Sequence, residues 1–388
     1  FAIQNAQVIT GSNPVYGLNS IGGAVALDMK DGFDADGWSV EAAAGSFGRK
    51  MATVEFGTRY GELGLYAGAN IVDEDGWRDH SPSRIERGYA DVAWESGTSE
   101  VGLGITASRS KLTGNGTTPA DLLAEHREAV FTYPDRTDST LAAAALRFSF
   151  QPYDEVTFSG GCYYRHLDRS TANGDQADFE PCDIFVVLVP GFTPPSGALC
   201  FGASVDGDTV VGDPQVLIDD DGIPVAGPDG EVDAVFNRTD AVTDSSGASA
   251  QVTWQSRAGA YRNVLIAGAT FDGASTRYRS GTEAATLGED RGVESLGIVV
   301  GNEEFNVGLR SRSTAYSLYA SDTLSPTSSL HVTAALRWNV AELQLRDQIG
   351  TALDGDHRYS RANPAVGLTW NAAPWLTAYG AYTRNNRV

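Results

Sequence analysis

Cysteine is scarce, at 3 of 388 residues, and none of the three sits in a C-x-x-C spacing. A disulfide-built scaffold and a thiolate metal centre are both excluded. Basic residues are also few. Lys+Arg number 28 against 50 Asp+Glu, a net charge of −22, so phosphate-rich partners are repelled and no nucleic-acid role is expected. No stretch approaches the ~20 consecutive apolar residues of a membrane helix. No N-terminal basic–apolar–cleavage pattern occurs either, which leaves a cytosolic chain, a mature chain or a fragment. The five histidines, at 80, 126, 166, 331 and 357, contain no pair at metal-ligand spacing. G-x-S-x-G, Walker and paired-carboxylate arrangements are missing. The expectation is therefore no enzyme, no resident metal and no cofactor.

Abundant instead are Gly, at 44, and aromatics, at 10%. Period-2 alternation recurs along the chain after residue 37, while helix-period stripes are almost absent. In 248–255, Ala248, Ala250, Val252 and Trp254 alternate with Ser249, Gln251, Thr253 and Gln255. In 330–339, Leu330, Val332, Leu336 and Trp338 alternate with His331, Thr333, Arg337 and Asn339. About thirteen such strands are read, near 38–45, 50–60, 62–72, 85–95, 99–110, 140–150, 155–166, 246–256, 261–271, 313–323, 329–345, 359–371 and 375–385. At about 9–12 residues they exceed the ~5–6 of soluble strands and suit a tilted bilayer crossing.

The joins alternate as well. Those after even-numbered strands are tight, as at Gly61-Glu62 and Ser96-Gly97-Thr98, whereas most after odd-numbered strands are long: 73–84, 111–139, 167–245, 272–312 and 346–358. Short turns on one side and long loops on the other are the pattern of a transmembrane β-barrel, with turns in the periplasm and loops outside. Five of the seven Trp (Trp38, Trp94, Trp254, Trp370 and Trp375) fall at the turn end, as an interfacial aromatic girdle requires. Val252, Trp254, Leu336 and Trp338 are expected to face lipid. Glu41, Glu55, Asp91, Arg147, Arg165 and Arg337 are expected to line the lumen as ordinary interior polarity.

Residues 1–30 differ. Short strand material in 1–10 precedes Gly11, Tyr16, Gly17, Gly22 and Gly23, followed by the alternating run Ala24–Met29. This segment resembles the end of the plug domain in TonB-dependent outer-membrane receptors. The family's usual Arg before the first Gly is Thr10 here, and Ser12-Asn13-Pro14 stands for Pro-x-Ser-x, so an ionic contact attributed to that Arg is not carried over. Thr118-Pro119 opening 118–136 looks like a capped short helix in an extracellular loop of the family. The closing 376–387 is similar to a mid-barrel strand.

The resemblance implies an all-β fold: a transmembrane antiparallel β-barrel, incomplete at about 13 of 22 strands. The end of the plug and a linker would occupy 1–37 and the partial barrel 38–388, so the chain is read as an internal fragment of a longer receptor. The implied function is TonB-dependent active uptake of a large, scarce ligand across the bacterial outer membrane. A ferric siderophore leads, ahead of cobalamin, heme or a glycan. The implied partners are TonB with its inner-membrane proton-driven motor, the ligand, and outer-membrane lipid and lipopolysaccharide around a monomeric barrel. A passive pore or a structural surface barrel is the alternative.

Within the 167–245 loop lie Asp206, Asp208, Asp213, Asp219, Asp220, Asp221, Asp229, Glu231 and Asp233. Divalent-cation binding is weighed for them, and a merely solvated acidic loop is preferred. Cys182 and Cys200 bracket an apolar run; an outside location is oxidising, so a disulfide is expected to pin this loop. Phe185 and Phe192 are candidate ligand-stacking residues. Cys162 alternates with Val156 and Phe158 and is expected to face lipid unpaired.

Overall fold

The computed structural model describes residues 1–10, 23–114, 116–177, 179–206, 209–227, 232–259 and 261–384. Gly11, Tyr16, Gly17 and Gly22 lie outside these, and Gly23 opens a strand. Strands β1 (Ile3–Thr10) and β2 (Gly23–Met29) form a separate antiparallel pair.

The main sheet begins with β3 (Gly37–Ala44), β4 (Lys50–Tyr60), β5 (Leu63–Glu74), β6 (Ser83–Ser96), β7 (Ser99–Thr113), β8 (Asp135–Tyr153) and β9 (Val156–Gln176). A three-stranded sheet of β10 (Glu180–Pro181), β11 (Leu199–Asp206) and β12 (Thr209–Val216) intervenes. The main sheet resumes with β13 (Ala234–Ala258), β14 (Tyr261–Leu287), β15 (Val293–Val299), β16 (Val307–Ser325), β17 (Leu330–Asp347), β18 (Gly355–Ala373) and β19 (Leu376–Thr383). Thirteen of these follow one another in antiparallel order from β3 to β19, with β15 attached to β14 off that path. The fold is thus all-β, an open antiparallel barrel wall with β3 and β19 as its edges. The thirteen segments read from alternation are these thirteen strands.

The two faces are inverted relative to a water-soluble protein. Val92, Leu103, Leu146, Cys162, Ala248 and Phe271 form one cross-strand row, and its large members are exposed. Trp254, Leu318, Leu336 and Trp338 extend the same exposed face. On the opposite face the buried side chains include Thr53, Asn70, Asp91, Ser317, Arg337, Asn339 and Asn363. Apolar outside and polar inside is stable where the outer medium is hydrocarbon. Glu41, opposite Thr53, shares the inner face with Glu55, Asp91, Arg147, Arg165 and Arg337. Cys162 is exposed and free.

Two of the tight joins rest on glycine. Gly61 and Gly97 adopt φ of 61° and 60°, which a side chain at these turns would strain. At this turn end Trp38 lies opposite Phe56, Trp94 opposite Leu63 and Val101, Trp254 opposite Val156, and Trp370 opposite Leu330. Trp375 precedes β19, and all five indoles are exposed.

The loops are shorter than the sequence pattern indicates. The segment read as 167–245 contracts to 177–233, because β9 continues to Gln176 and β13 begins at Ala234. Likewise 111–139 contracts to 114–134, and 272–312 holds the end of β14 together with β15. The physical reason is the period-2 signal itself. It marks a strand only where one face is apolar, and in 167–176 and 234–245 both faces carry polar side chains while the ladder continues through pairs such as Asn237–Asn173. Strands of 25 and 27 residues exceed the ~9–11 needed to cross a bilayer, so β13 and β14 project well past it.

Candidate functional site

The inner wall of β4–β8 grips the segment that follows β2. Lys30 Nζ meets Glu55 Oε2 at 2.5 Å, and the Tyr66 hydroxyl donates to the same oxygen at 2.7 Å. Phe1 and Ala2 pack on Tyr66 and Tyr89. A β-carbon on Gly32 would fall 1.9 Å from the Leu65 backbone nitrogen, so only glycine allows this approach. Burial, with the Asp31 carboxylate next to it, raises the Asp34 carboxyl above its ordinary pKa.

Arg147 on β8 organises the contact. Its Nη1 and Nη2 donate to Asp91 at 2.5 and 3.0 Å, its Nε donates to Glu100 at 3.1 Å, and Nη2 also reaches Asp31 at 3.4 Å. Tyr89 adds a hydroxyl hydrogen bond to Asp91 at 3.2 Å. Glycines on β7 make the space: a β-carbon at Gly102 would lie 2.3 Å from the Arg147 guanidinium carbon, and one at Gly104 would crowd Tyr89. A fork-shaped cation thus clamps two barrel carboxylates and one carboxylate of the N-terminal segment. Beside it a cavity of about 1120 Å³ opens onto Asp28, Tyr163, Arg165, Asp272 and Glu342.

At the loop end, Cys182 and Cys200 are joined in a disulfide. The bridge packs with Phe185, from a short helix over Asp183–Val186, and with Ala198. A second cluster of Leu199, Phe201, Leu217, Val225 and Val232 packs on Ala284 and Val300, and Phe201 meets Phe305 edge-on at 4.9 Å. Phe185 is fully buried, which removes it from any ligand-stacking surface, while Ile184 and Val186 beside it are exposed. Phe192 is half-buried against the same cluster, while Val187 is 88% exposed. Two of the acidic residues hold backbone groups. Asp219 accepts from the N–H groups of Asp221 and Ile223, and Asp233 accepts from that of Leu287. Asp208, Asp229 and Glu231 lie outside the described residues.

Thr118 does not cap a helix. The helix of loop 114–134 spans Ala120–Glu125 with Pro119 at its N-cap, and the Thr118 hydroxyl accepts from Arg78 at 3.2 Å. His126 Nε2 lies 2.8 Å from Asp79, with Glu128 adjoining, a meeting of two loops that spacing along the chain conceals. All three groups sit at the surface, and the His–carboxylate hydrogen bond accounts for the contact. Nearby, Tyr133 donates to Asp290 at 2.5 Å, and this bond together with the Gly292 N–H holds the Asp290 carboxyl below its ordinary range.

Residues 75–388 match the family described as TonB dependent receptor-like, beta-barrel. The chain belongs to this family. Its β-barrel receptors are outer-membrane proteins, and the fold agrees with solved members. The ferric-catecholate import receptor Fiu of E. coli K12, in an open form, aligns over 100% of this chain and 60% of its own at 14% identity and a TM-score of 0.72. The ferric citrate transporter FecA, unliganded, aligns over 98% and 49% at 14% identity and a TM-score of 0.70. The siderophore receptor PiuA from Acinetobacter baumannii aligns over 99% and 54% at 12% identity and a TM-score of 0.67. The chain therefore spans about half the length of these TonB-dependent receptors. No curated protein matches its sequence.

Proposed function

We propose that the chain is the plug-end segment and first part of the barrel of an outer-membrane receptor that takes up a large, scarce ligand by TonB-coupled transport. The β1–β2 pair and the segment to Asp36 are the plug end, and the turn end with its five Trp faces the periplasm. The observation that carries the reading is the N-terminal segment seated on the polar inner wall through Lys30–Glu55 and Asp31–Arg147. A passive pore needs an open lumen and has no use for such a clamp. A ferric siderophore is the favoured ligand class, in keeping with the ferric citrate, ferric catecholate and siderophore named for the similar solved receptors. No covalent chemistry is involved. TonB and its proton-driven motor supply the force that remodels the plug.

The test uses the full-length receptor in an iron-starved outer-membrane host with radioiron-labelled siderophores of several classes. Saturable uptake that stops when a protonophore is added is expected. Unsaturable, energy-independent permeation of small solutes would instead make the protein a pore.

Membrane placement has its own test. In a Cys162→Ser background, spin labels at positions 252 and 253 should differ, the first relaxed by lipid-dissolved oxygen and the second by a polar agent. Val252 lies on the exposed apolar row and Thr253 on the opposite face. Equal accessibility at the two positions would remove the bilayer from the account.

A further inference from the structure

We propose that Asp79, His126 and Glu128 form a site for a divalent transition-metal ion of the Zn²⁺ class, which joins the loop after β5 to the loop after β7. The proposal goes beyond the transport reading and does not depend on it.

The three side chains come from two loops. Asp79 lies between β5 and β6, whereas His126 and Glu128 lie between β7 and β8. A ligand atom from each falls within 4.8 Å of the other two. Backbone hydrogen bonds set this convergence. The Asp79 N–H donates to the Glu128 carbonyl at 2.9 Å and so brings the two carboxylate-bearing residues together. His126 ends the helix Ala120–Glu125, its N–H donating to the Leu122 carbonyl, and its own carbonyl accepts from the Ala129 N–H at 3.1 Å. On either side of Asp79, Arg78 donates to the Thr118 hydroxyl and His80 stacks on Tyr133 at 3.7 Å. The backbone of both loops is therefore pinned around the three ligands.

Charge at the triad is incomplete without a cation. His126 Nε2 meets Asp79 at 2.8 Å, and that hydrogen bond serves one carboxylate only. Among the described residues the Glu128 carboxylate has no hydrogen bond and no ion pair. Its oxygen nonetheless stands within 4.8 Å of the Asp79 carboxylate. Arg78 and Arg127, next to these acids in sequence, pair with neither of them. Two carboxylates at this separation repel each other, and a dication between them turns the repulsion into attraction.

The donor set selects the ion. One imidazole nitrogen with two carboxylate oxygens suits zinc and its neighbours, at about 2.0–2.2 Å. Ca²⁺ takes about six to eight oxygens and finds too few here. Around a tetrahedral ion the ligand atoms stand about 3.3 Å apart. Asp79 and His126 then open by about half an ångström and Glu128 swings in. All three side chains reach solvent, so rotation about their own χ angles supplies the movement. Nε2 presents its lone pair to the ion and the ring proton sits on Nδ1. The fourth position faces water. Tyr133 of the second loop donates to Asp290, so the ion would stiffen a tie that already reaches the connection between β14 and β15.

The experiment uses the full-length receptor in detergent, free of any histidine tag and stripped with a chelator. Zn²⁺ is titrated calorimetrically into wild type, Glu128→Gln, His126→Ala and a control, His357→Ala on β18. The control should match wild type. Glu128→Gln and His126→Ala should each weaken a Zn²⁺ site at least about tenfold, the lower end of what loss of a metal-supporting group costs. Glu128→Gln keeps the shape of the loop and the His126–Asp79 hydrogen bond, so its loss is not one of folding. Zn²⁺, but not Ca²⁺ at equal concentration, should slow hydrogen exchange in 76–82 and 120–130. Unchanged Zn²⁺ affinity in Glu128→Gln would overturn the proposal. So would exchange in these loops that ignores Zn²⁺, or equal protection by Ca²⁺. None of these results bears on the uptake test, so the two readings fail separately.

Discussion

Replacing Arg147 by Met is expected to destabilise the folded barrel by about 3–5 kcal/mol, the cost of leaving a buried charge without its partner. The side chain of Asp91 has 0% exposure and takes two guanidinium hydrogen bonds. Removing the cation leaves that carboxylate facing Tyr89 alone, since Glu100 and Asp31 are themselves anions. Urea titration of the refolded full-length barrel in detergent, followed by tryptophan fluorescence, measures the loss as a shift in midpoint. Lys at 147 keeps the charge but not the fork, so Arg147→Lys should recover only part of the stability. The double variant Arg147→Met/Asp91→Asn should be less damaged than Arg147→Met, because no buried charge is then stranded. If Arg147→Met unfolds at the wild-type midpoint, the clamp is decoration on a wall held by its ladders alone. The same variant also frees Asp31, so hydrogen exchange in 30–36 should rise as the N-terminal segment loosens. Exchange limited to β8 and its neighbours would show that the segment is held by Lys30–Glu55 and the Gly32 contact without Arg147.

How far the sequence revealed this arrangement depends on what generates its pattern. The strands were legible because hydrocarbon on one side and a polar lumen on the other write a period-2 code, as in Val101–Ala107 alternating with Gly102, Gly104 and Thr106. Beyond the membrane the code fades, and the outer halves of β9, β13 and β14 were read as loop although their ladders are unbroken. The lumen residues were placed on the correct face, yet nothing local joins Asp91 to Arg147, which are 56 positions apart. Two inward glycines, Gly102 and Gly104, were the only trace, and they are informative once they are seen to leave room for a guanidinium and a phenol. Phe185 was misjudged for lack of any such trace. Nothing local marks Phe185 as the buried member of an apolar loop run whose Val186 and Val187 stay exposed; the strands that pack on it decide this. Those strands, β10–β12, are short and carry no clear alternation.

Loss of the Cys182–Cys200 bridge should unfold the β10–β12 subdomain while the barrel stays intact. The disulfide closes a sequence separation of 18, for which chain entropy predicts about 3 kcal/mol. That is a large share of what this small unit can draw on. Its inner cluster is Phe185, Ala198 and the half-cystines themselves, so Cys182→Ser/Cys200→Ser puts two hydroxyls where the core was. The second cluster, anchored through Ala284 and Val300 on the main sheet, should persist longer. Mass-resolved hydrogen exchange on the full-length receptor checks this: fast exchange in 180–200, slower change in 217–232, and none in β13 or β14. Reductant added to the wild type should reproduce the pattern. The functional consequence follows from position, because in the proposed receptor this subdomain stands at the barrel mouth with Ile184, Val186 and Val187 at its surface. If it contributes the ligand surface, affinity for the transported siderophore should fall at least tenfold in the serine variant, with no change in the amount of folded barrel. Undiminished affinity and uptake alongside the full exchange signature would leave the subdomain as a shield over the mouth. Ligand capture would then fall to the 114–134 and 288–306 segments and to the cavity around Arg165 and Asp272.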